Sequence, residues 1–245
     1  MRMRKRHNLE PRMERCRDWL LEEPALRRGC WKRDGRPLFL EIGCGKGSFT
    51  CALAAGEPGC DIVAIEKVPD AMILAMERAK AEGLDNVRFA DFDAARLTEM
   101  FTEGETDRIY INFCDPWPKS RDAKFRLTAP SFLRRYASIL PQGGEIRFRT
   151  DNLALFDWSE RQLREERWEL RDVTRDRYAG GVEGILTDYE RRFLAQGIAI
   201  KSLTAVRTAQ TKDVTSGEPP RLRDAALPDA RGIQDRQKLQ GGTET

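Results

Sequence analysis

The chain has 245 residues, of which 40% are hydrophobic, and 43 Lys/Arg against 40 Asp/Glu give a formal net charge of +3. That length and apolar content suit one domain of moderate size, and no apolar run approaches the roughly 20 residues that cross a bilayer. The charge is unevenly spread: residues 1–36 hold twelve Lys/Arg against six Asp/Glu, so a basic N-terminal arm precedes a nearly neutral body. Such an arm is either solvated or meets a polyanion.

The opening "MRMRKRHNLEPRMERC" has charge without a following apolar segment, so it does not read as a secretory signal. Six cysteines occur without a CxxC pair, and the only histidine is His7. A zinc site and a disulfide framework are therefore not expected, and the setting is expected to be a reducing cytoplasm. Five apolar stretches then predict buried strands: 37–43, 61–66, 86–90, 107–113 and 144–150. Helical spacing separates them, most clearly in "APSFLRRYASIL" and in "PDAMILAMERAKAEG", which opens on Pro69 and closes on Gly83. Two further strands are predicted at 168–174 and 198–207, with a short helix "TDYERRFLAQG" between them. This α/β alternation predicts a mostly parallel sheet with helices on both faces. The polar segment 208–245 lacks large apolar side chains and is expected to be largely disordered.

Chemistry-bearing residues gather at predicted strand ends. "LFLEIGCGKGSF" places Gly43, Gly45 and Gly47 at a strand-to-helix turn, where glycine permits a tight bend and close approach of a ligand. A nicotinamide-dependent oxidoreductase shares such a turn, but Ser48 stands where the dinucleotide pattern wants Gly or Ala, and Glu41 beside the turn repels a pyrophosphate. A carboxylate there suits a ligand bearing an ammonium and a sulfonium, which describes S-adenosylmethionine. Glu66 ends the second strand, where acids commonly receive ribose hydroxyls, and Asp93 follows the third within reach of an adenine edge. Any one of these acids alone reads equally as a helix cap or a solvated loop residue. Three after successive strands read together as a cofactor rim.

After the fourth strand comes "NFCDPWPKSRDAKFRL". Pro116 and Pro118 remove two donors and fix two φ angles, so Asp115, Trp117 and Lys119 are held stiffly. Alignment of two bound partners supplies much of a transfer rate, which gives that stiffness a use. Trp117 offers a face to a base or a sulfonium, or else packs beneath the loop. Cys114 reads as a packing residue. Lys119, Arg121, Lys124 and Arg126 form a cluster that is either a solvated face or a set of phosphate contacts.

Four segments, "LEIGCGKGSF", "NFCDPWPK", "FRTDN" and "TDYERRF", resemble the bacterial tRNA (guanine-N7)-methyltransferase family from about residue 37 to residue 207. The resemblance implies a Rossmann-like class I methyltransferase with a seven-stranded, mostly parallel sheet. It implies methyl transfer from S-adenosylmethionine to N7 of a guanine in the tRNA variable loop, with tRNA as partner and no membrane. Position by position it implies Glu41, Glu66, Asp93 and Asp115 as cofactor-binding acids, with Asp115 also catalytic. It further implies Lys119, Asp151, Thr187, Asp188, Tyr189 and Glu190 at the substrate, and 121–126 at RNA. "KSRDAKFRL" has fewer cations than the family pattern, so RNA affinity is expected to lean on the N-terminal arm. The other readings are an amino-group nucleic-acid methyltransferase, whose loop is typically Asp/Asn-Pro-Pro-aromatic, and a noncatalytic tRNA-binding protein. Monomer and homodimer both stay open.

Overall fold

The computed structural model describes residues 8–32 and 35–215. A short helix α1 (Leu9–Arg15) is followed by β1 (Leu38–Ile42), α2 (Ser48–Gly56), β2 (Asp61–Ile65), α3 (Pro69–Ala81) and β3 (Val87–Ala90). The chain continues through α4 (Leu97–Met100), β4 (Arg108–Asn112), α5 (Pro130–Ile139), β5 (Glu145–Thr150) and α6 (Leu153–Glu165). It finishes with β6 (Glu169–Thr174), α7 (Asp188–Leu194) and β7 (Lys201–Val206). All seven predicted strands are present, displaced by at most a few residues at their ends.

The strands form one sheet in the order β3-β2-β1-β4-β5-β7-β6. β1 to β5 are mutually parallel, and β7 runs antiparallel to both β5 and β6. The parallel strands read as near-continuous apolar runs because both of their faces are covered. On β1, Leu38, Leu40 and Ile42 point into one core with Phe132, Tyr136 and Phe156, while Phe39 points into the other with Phe49, Met72 and Met76. Glu41 shares the Phe39 face by alternation, so a carboxylate is carried into the layer under α2. The strand order reverses between β1 and β4, and an open α/β sheet binds its ligands at such a point, outside the carboxyl ends of the strands.

The segment read as a basic arm lies largely on the body. Trp19 Nε1 donates to the Leu84 carbonyl at 2.6 Å, and the Leu21 amide to the Phe89 carbonyl at 2.8 Å. Gly29 and Trp31 both donate amide protons to Glu105. Arg12 makes a two-pronged pair with Glu77 at 2.7 and 2.5 Å, and Lys32 pairs with Asp107 at 2.6 Å. These two cations are thus already matched within the fold, which weakens the expectation that RNA affinity leans on this segment. Residues 1–7, with the densest charge, lie outside the described residues. At the other end the body runs past 207: Thr211 Oγ1 donates to the Arg167 carbonyl at 3.0 Å and the Lys212 amide to the Glu166 carbonyl at 3.1 Å. The expected disorder of the tail concerns, beyond these, residues 216–245, which lie outside the described residues.

Candidate active site

The turn after β1 is built by left-handed glycines: Gly43, Gly45 and Gly47 have φ of +80°, +55° and +73°. Gly47 has a second constraint, because an added Cβ would sit 2.5 Å from Ala75 Cβ and 2.8 Å from Ala75 Cα in α3. Strain at positive φ and a clash with helix backbone act together there, so Gly47→Ala is expected to cost about 2–4 kcal/mol. The shift in urea midpoint checks this, and a loss below about 0.5 kcal/mol would show that α2 and α3 separate freely.

Glu66 holds the turn in place. One carboxylate oxygen accepts the Gly45 amide and the other the Val68 amide, both at 2.9 Å. Burial pushes its pKa up, and the charge of Asp115 adds a smaller push, which puts these two acids within electrostatic reach across the strand ends. Glu41 is 2% exposed and accepts the Thr50 hydroxyl on one oxygen and Asn112 Nδ2 on the other, the latter at 3.1 Å. Burial lifts its pKa to about 7, opposed by those two hydrogen bonds and by Arg149, and Glu66 adds to the rise. Asp93 is different. Its Oδ1 accepts the Ala95 amide at 2.9 Å as a helix cap, and its Oδ2 pairs with Lys67 at 2.7 Å. These two contacts fix the loop after β3, and each oxygen keeps acceptor capacity, as in Glu41 and Glu66.

Asp115 makes neither a hydrogen bond nor an ion pair among the described residues. Its side chain is open to solvent on one side, while the protein on the other removes enough water to push its pKa up. The loop that presents it is strained at two side chains: Phe113 has φ +54° and Trp117 φ +42°. The strain is held by partners. The Phe113 amide donates to the Arg149 carbonyl at 2.9 Å, and Arg126 donates from Nε to the Pro116 carbonyl and from Nη2 to the Trp117 carbonyl, at 3.0 and 2.9 Å. Arg126, expected at the RNA, is thereby an internal brace of the loop. Trp117 packs on Phe125, with ring centres 5.3 Å apart. Lys119, Arg121 and Lys124 stay exposed, Arg121 beside Asp122 at 3.7 Å and Lys124 over the Phe125 ring at 5.4 Å.

Left-handed backbone at Phe113 turns its ring toward α7. Phe113 stacks on Tyr189 at 5.8 Å and 22°, and Phe193 lies 5.8 Å from Phe113. Tyr189 is nevertheless 57% exposed, so an aromatic shelf stands open two residues from Asp115. The Asp188 amide donates to Ser48 Oγ at 3.2 Å, which sets the start of α7 against the glycine turn. Asp151, just past β5, carries no side-chain ion pair among the described residues, and its charge reaches the Cys114 thiol, whose pKa is pushed to about 12 chiefly by burial.

Glu190 corrects the sequence reading. The resemblance implies it at the substrate, but its side chain is fully buried. Arg149 at 3.2 Å and the Tyr178 hydroxyl at 2.8 Å donate to one oxygen, and the Thr187 amide at 2.6 Å to the other. With Thr187 Oγ1 accepting the Glu190 amide at 2.9 Å, the two residues form a capping box that starts α7. Thr187 and Glu190 therefore position the segment, while Asp188 and Tyr189 are its exposed members.

Residues 35–203 match a family described as putative methyltransferase. The chain is 42% identical over 195 residues to the tRNA (guanine-N(7)-)-methyltransferase of Lachnoclostridium phytofermentans, covering 78% of this chain and 91% of that one. Its counterpart from Brevibacillus brevis is 38% identical over 190 residues, with 76% and 89% covered. The chain belongs to the tRNA (guanine-N(7)-)-methyltransferase family. Among solved structures the 16S rRNA methyltransferase KamB superposes with a TM-score of 0.55 at 18% identity, covering 84% of this chain and 96% of that one, a likeness of fold alone.

Two residues inside the motifs carry a role that the motifs alone do not assign. Asn112 and Arg149 are register partners on β4 and β5, and Asn112 bonds Glu41 on β1. A row of polar groups therefore crosses the buried strand ends from Glu41 through Asn112 to Arg149, and on to Glu190 in α7. The signal was present in the sequence as polar residues closing the apolar runs "IYIN" and "RFRT". Asn112 Oδ1 is buried and has no hydrogen-bond partner among the described residues, which is costly unless a ligand supplies one.

Proposed function

We propose that this chain transfers a methyl group from S-adenosylmethionine to N7 of a guanine in the variable loop of tRNA. The observation that carries it is the electrostatic gathering of Glu41, Glu66 and Asp115 at neighbouring strand ends, beside the open Phe113–Tyr189 shelf. The donor set fits the cofactor. Glu41 keeps lone pairs free beside the unpartnered Asn112 Oδ1, two acceptors suited to an ammonium, and Glu66 keeps acceptor capacity for ribose hydroxyls. When bound, S-adenosylmethionine supplies a methyl group on a sulfonium.

Guanine N7 has an in-plane lone pair and no proton, so no base is needed to expose it. As the methyl passes across, positive charge moves from sulphur onto the purine. Asp115, stiffened by Pro116 directly after it, stabilises that charge where it arrives and orients the base. Tyr189 offers its exposed ring to a guanine taken out of its stack. Asp151 accepts from the guanine N1–H and amino edge, which adenine cannot match. Lys119 and Arg121 meet flanking phosphates. Incubation with unmodified tRNA and labelled cofactor, followed by nucleoside analysis, is expected to place all label in N7-methylguanine. Label in a methylated exocyclic amine would reject this reading in favour of amino-group chemistry.

Glu41 gives the reading a pH signature. Its raised pKa means that the unliganded fold keeps a proton which the unfolded chain has lost, so stability declines as pH rises from the ordinary carboxylate range to about 7 and then levels off. Cofactor affinity moves oppositely, because an ammonium prefers the carboxylate. Affinity for S-adenosylhomocysteine is expected to fall up to about tenfold per pH unit below about 7, and Glu41→Gln to flatten that slope. Calorimetric titration between pH 5.5 and 8 (roughly the window around that pKa) measures it; parallel slopes in wild type and variant would remove Glu41 from the ammonium.

A further inference from the structure

Beside the catalytic rim, the segment Ser120–Phe125 and the first turns of α6 enclose a groove of about 530 Å³. Ser120, Ala123 and Arg126 form one wall, and Ala154, Trp158 and Arg161, spaced on one face of α6, form the other, with Asp157 at the edge. The Arg126 guanidinium carbon lies over the Trp158 ring, 4.4 Å from its centre, and the group is fixed by its two bonds to the loop carbonyls. Arg161 is exposed and has no ion pair among the described residues. The charge of Arg161 adds to burial in lowering the Arg126 pKa, so the two cations are within reach of one another. Asp157 does not neutralise them, because its carboxylate is paired with Arg175 at 2.7 Å.

Two like charges facing a groove repel, and an anion seated between them reverses the sign of that interaction. Apart from Asp157 the rest of the lining is small or aromatic, and it includes Ser120. Donors for a phosphate beside apolar surface for a ribose suit a sugar–phosphate strand. An acidic peptide would find two charges but no backbone edge to pair with. The wall that carries Arg126 is the direct continuation of the Asp115–Lys119 loop, so a strand lying here leads to the base presented at Asp115.

Resting on the function proposed above, we propose that this groove holds the tRNA backbone next to the target nucleotide, with Arg161 as a phosphate contact contributed by α6. The experiment measures the affinity of the full chain for unmodified tRNA, with S-adenosylhomocysteine present, across a salt series. Arg161→Ala is expected to weaken binding about fivefold and to flatten the slope of log K against log salt by about one unit. Arg161→Glu is expected to weaken it more than tenfold, and Arg161→Lys to restore most of the loss. S-adenosylhomocysteine affinity and melting temperature are expected to be unchanged in all three. Arg171→Glu, the same charge change on the edge strand β6, is expected to stay within about twofold of wild type. If wild type binds tRNA and the Arg161 variants match it, or if Arg171→Glu loses as much as Arg161→Glu, the groove is not the contact. A wild type that does not bind tRNA overturns the function and the groove together.

Discussion

Asp115→Asn is expected to lower the single-turnover methylation rate by about 10²–10³-fold, while affinity for S-adenosylhomocysteine changes less than about threefold. The asymmetry follows from when charge appears. In the ground state the positive charge sits on the donor's sulphur, facing a rim that already holds Glu41 and Glu66. In the transition state part of that charge moves onto the purine, and Asp115 is the carboxylate whose oxygens take no hydrogen bond from the described protein. Asparagine keeps the size, and Pro116 and Pro118 after it are untouched, so orientation survives and only the charge is lost. Because N7 carries no proton, the loss is not expected to be recovered at high pH, as it would be for a missing base. Equal losses of rate and of cofactor affinity would reassign Asp115 to binding.

How much of this was legible in the sequence differs by level. The strands were legible because burial on both faces leaves uninterrupted runs such as "LFLEI" and "RIYIN", bounded by glycine and proline. The acids of the rim were legible because a parallel sheet brings successive strand ends to one edge. What those acids touch was not. Asp93 and Glu190 look alike in sequence, acids near a motif, yet one caps a loop and pairs with Lys67, and the other is buried beneath Arg149. Their partners lie 26 and 41 residues away, distances over which no local pattern carries information. The bracing role of Arg126 was hidden for the opposite reason: a cation among cations reads as surface, and only the turn imposed by Pro116 and Pro118 brings carbonyls within its reach. The pairing of Arg12 and Lys32 in the N-terminal segment was hidden similarly, since they meet Glu77 and Asp107 only after the sheet forms.

The largest stability effect is expected at Arg149→Met, about 3–5 kcal/mol by urea denaturation. Arg149 is 7% exposed, packed over the Phe49 ring at 5.3 Å, and gives Nη1 to both Glu190 and the Ile185 carbonyl. Methionine replaces the stem and part of the packing but leaves a fully buried carboxylate facing apolar surface. Against a total of about 5–15 kcal/mol for a domain, that is a large fraction. The cost belongs to the stranded charge more than to the lost bond, and that distinction is measurable. Glu190→Gln in the same background removes the charge while keeping a side chain compatible with the capping box, and is expected to recover at least about 1 kcal/mol. Function is expected to track the same pair. The Thr187–Tyr189 segment is tied to the sheet through Glu190, so Arg149→Met raises the KM for tRNA more than it weakens the cofactor. Additive losses in the double variant would mean that the pair is not coupled, and that α7 is held against the glycine turn by Ser48 and the aromatic shelf instead.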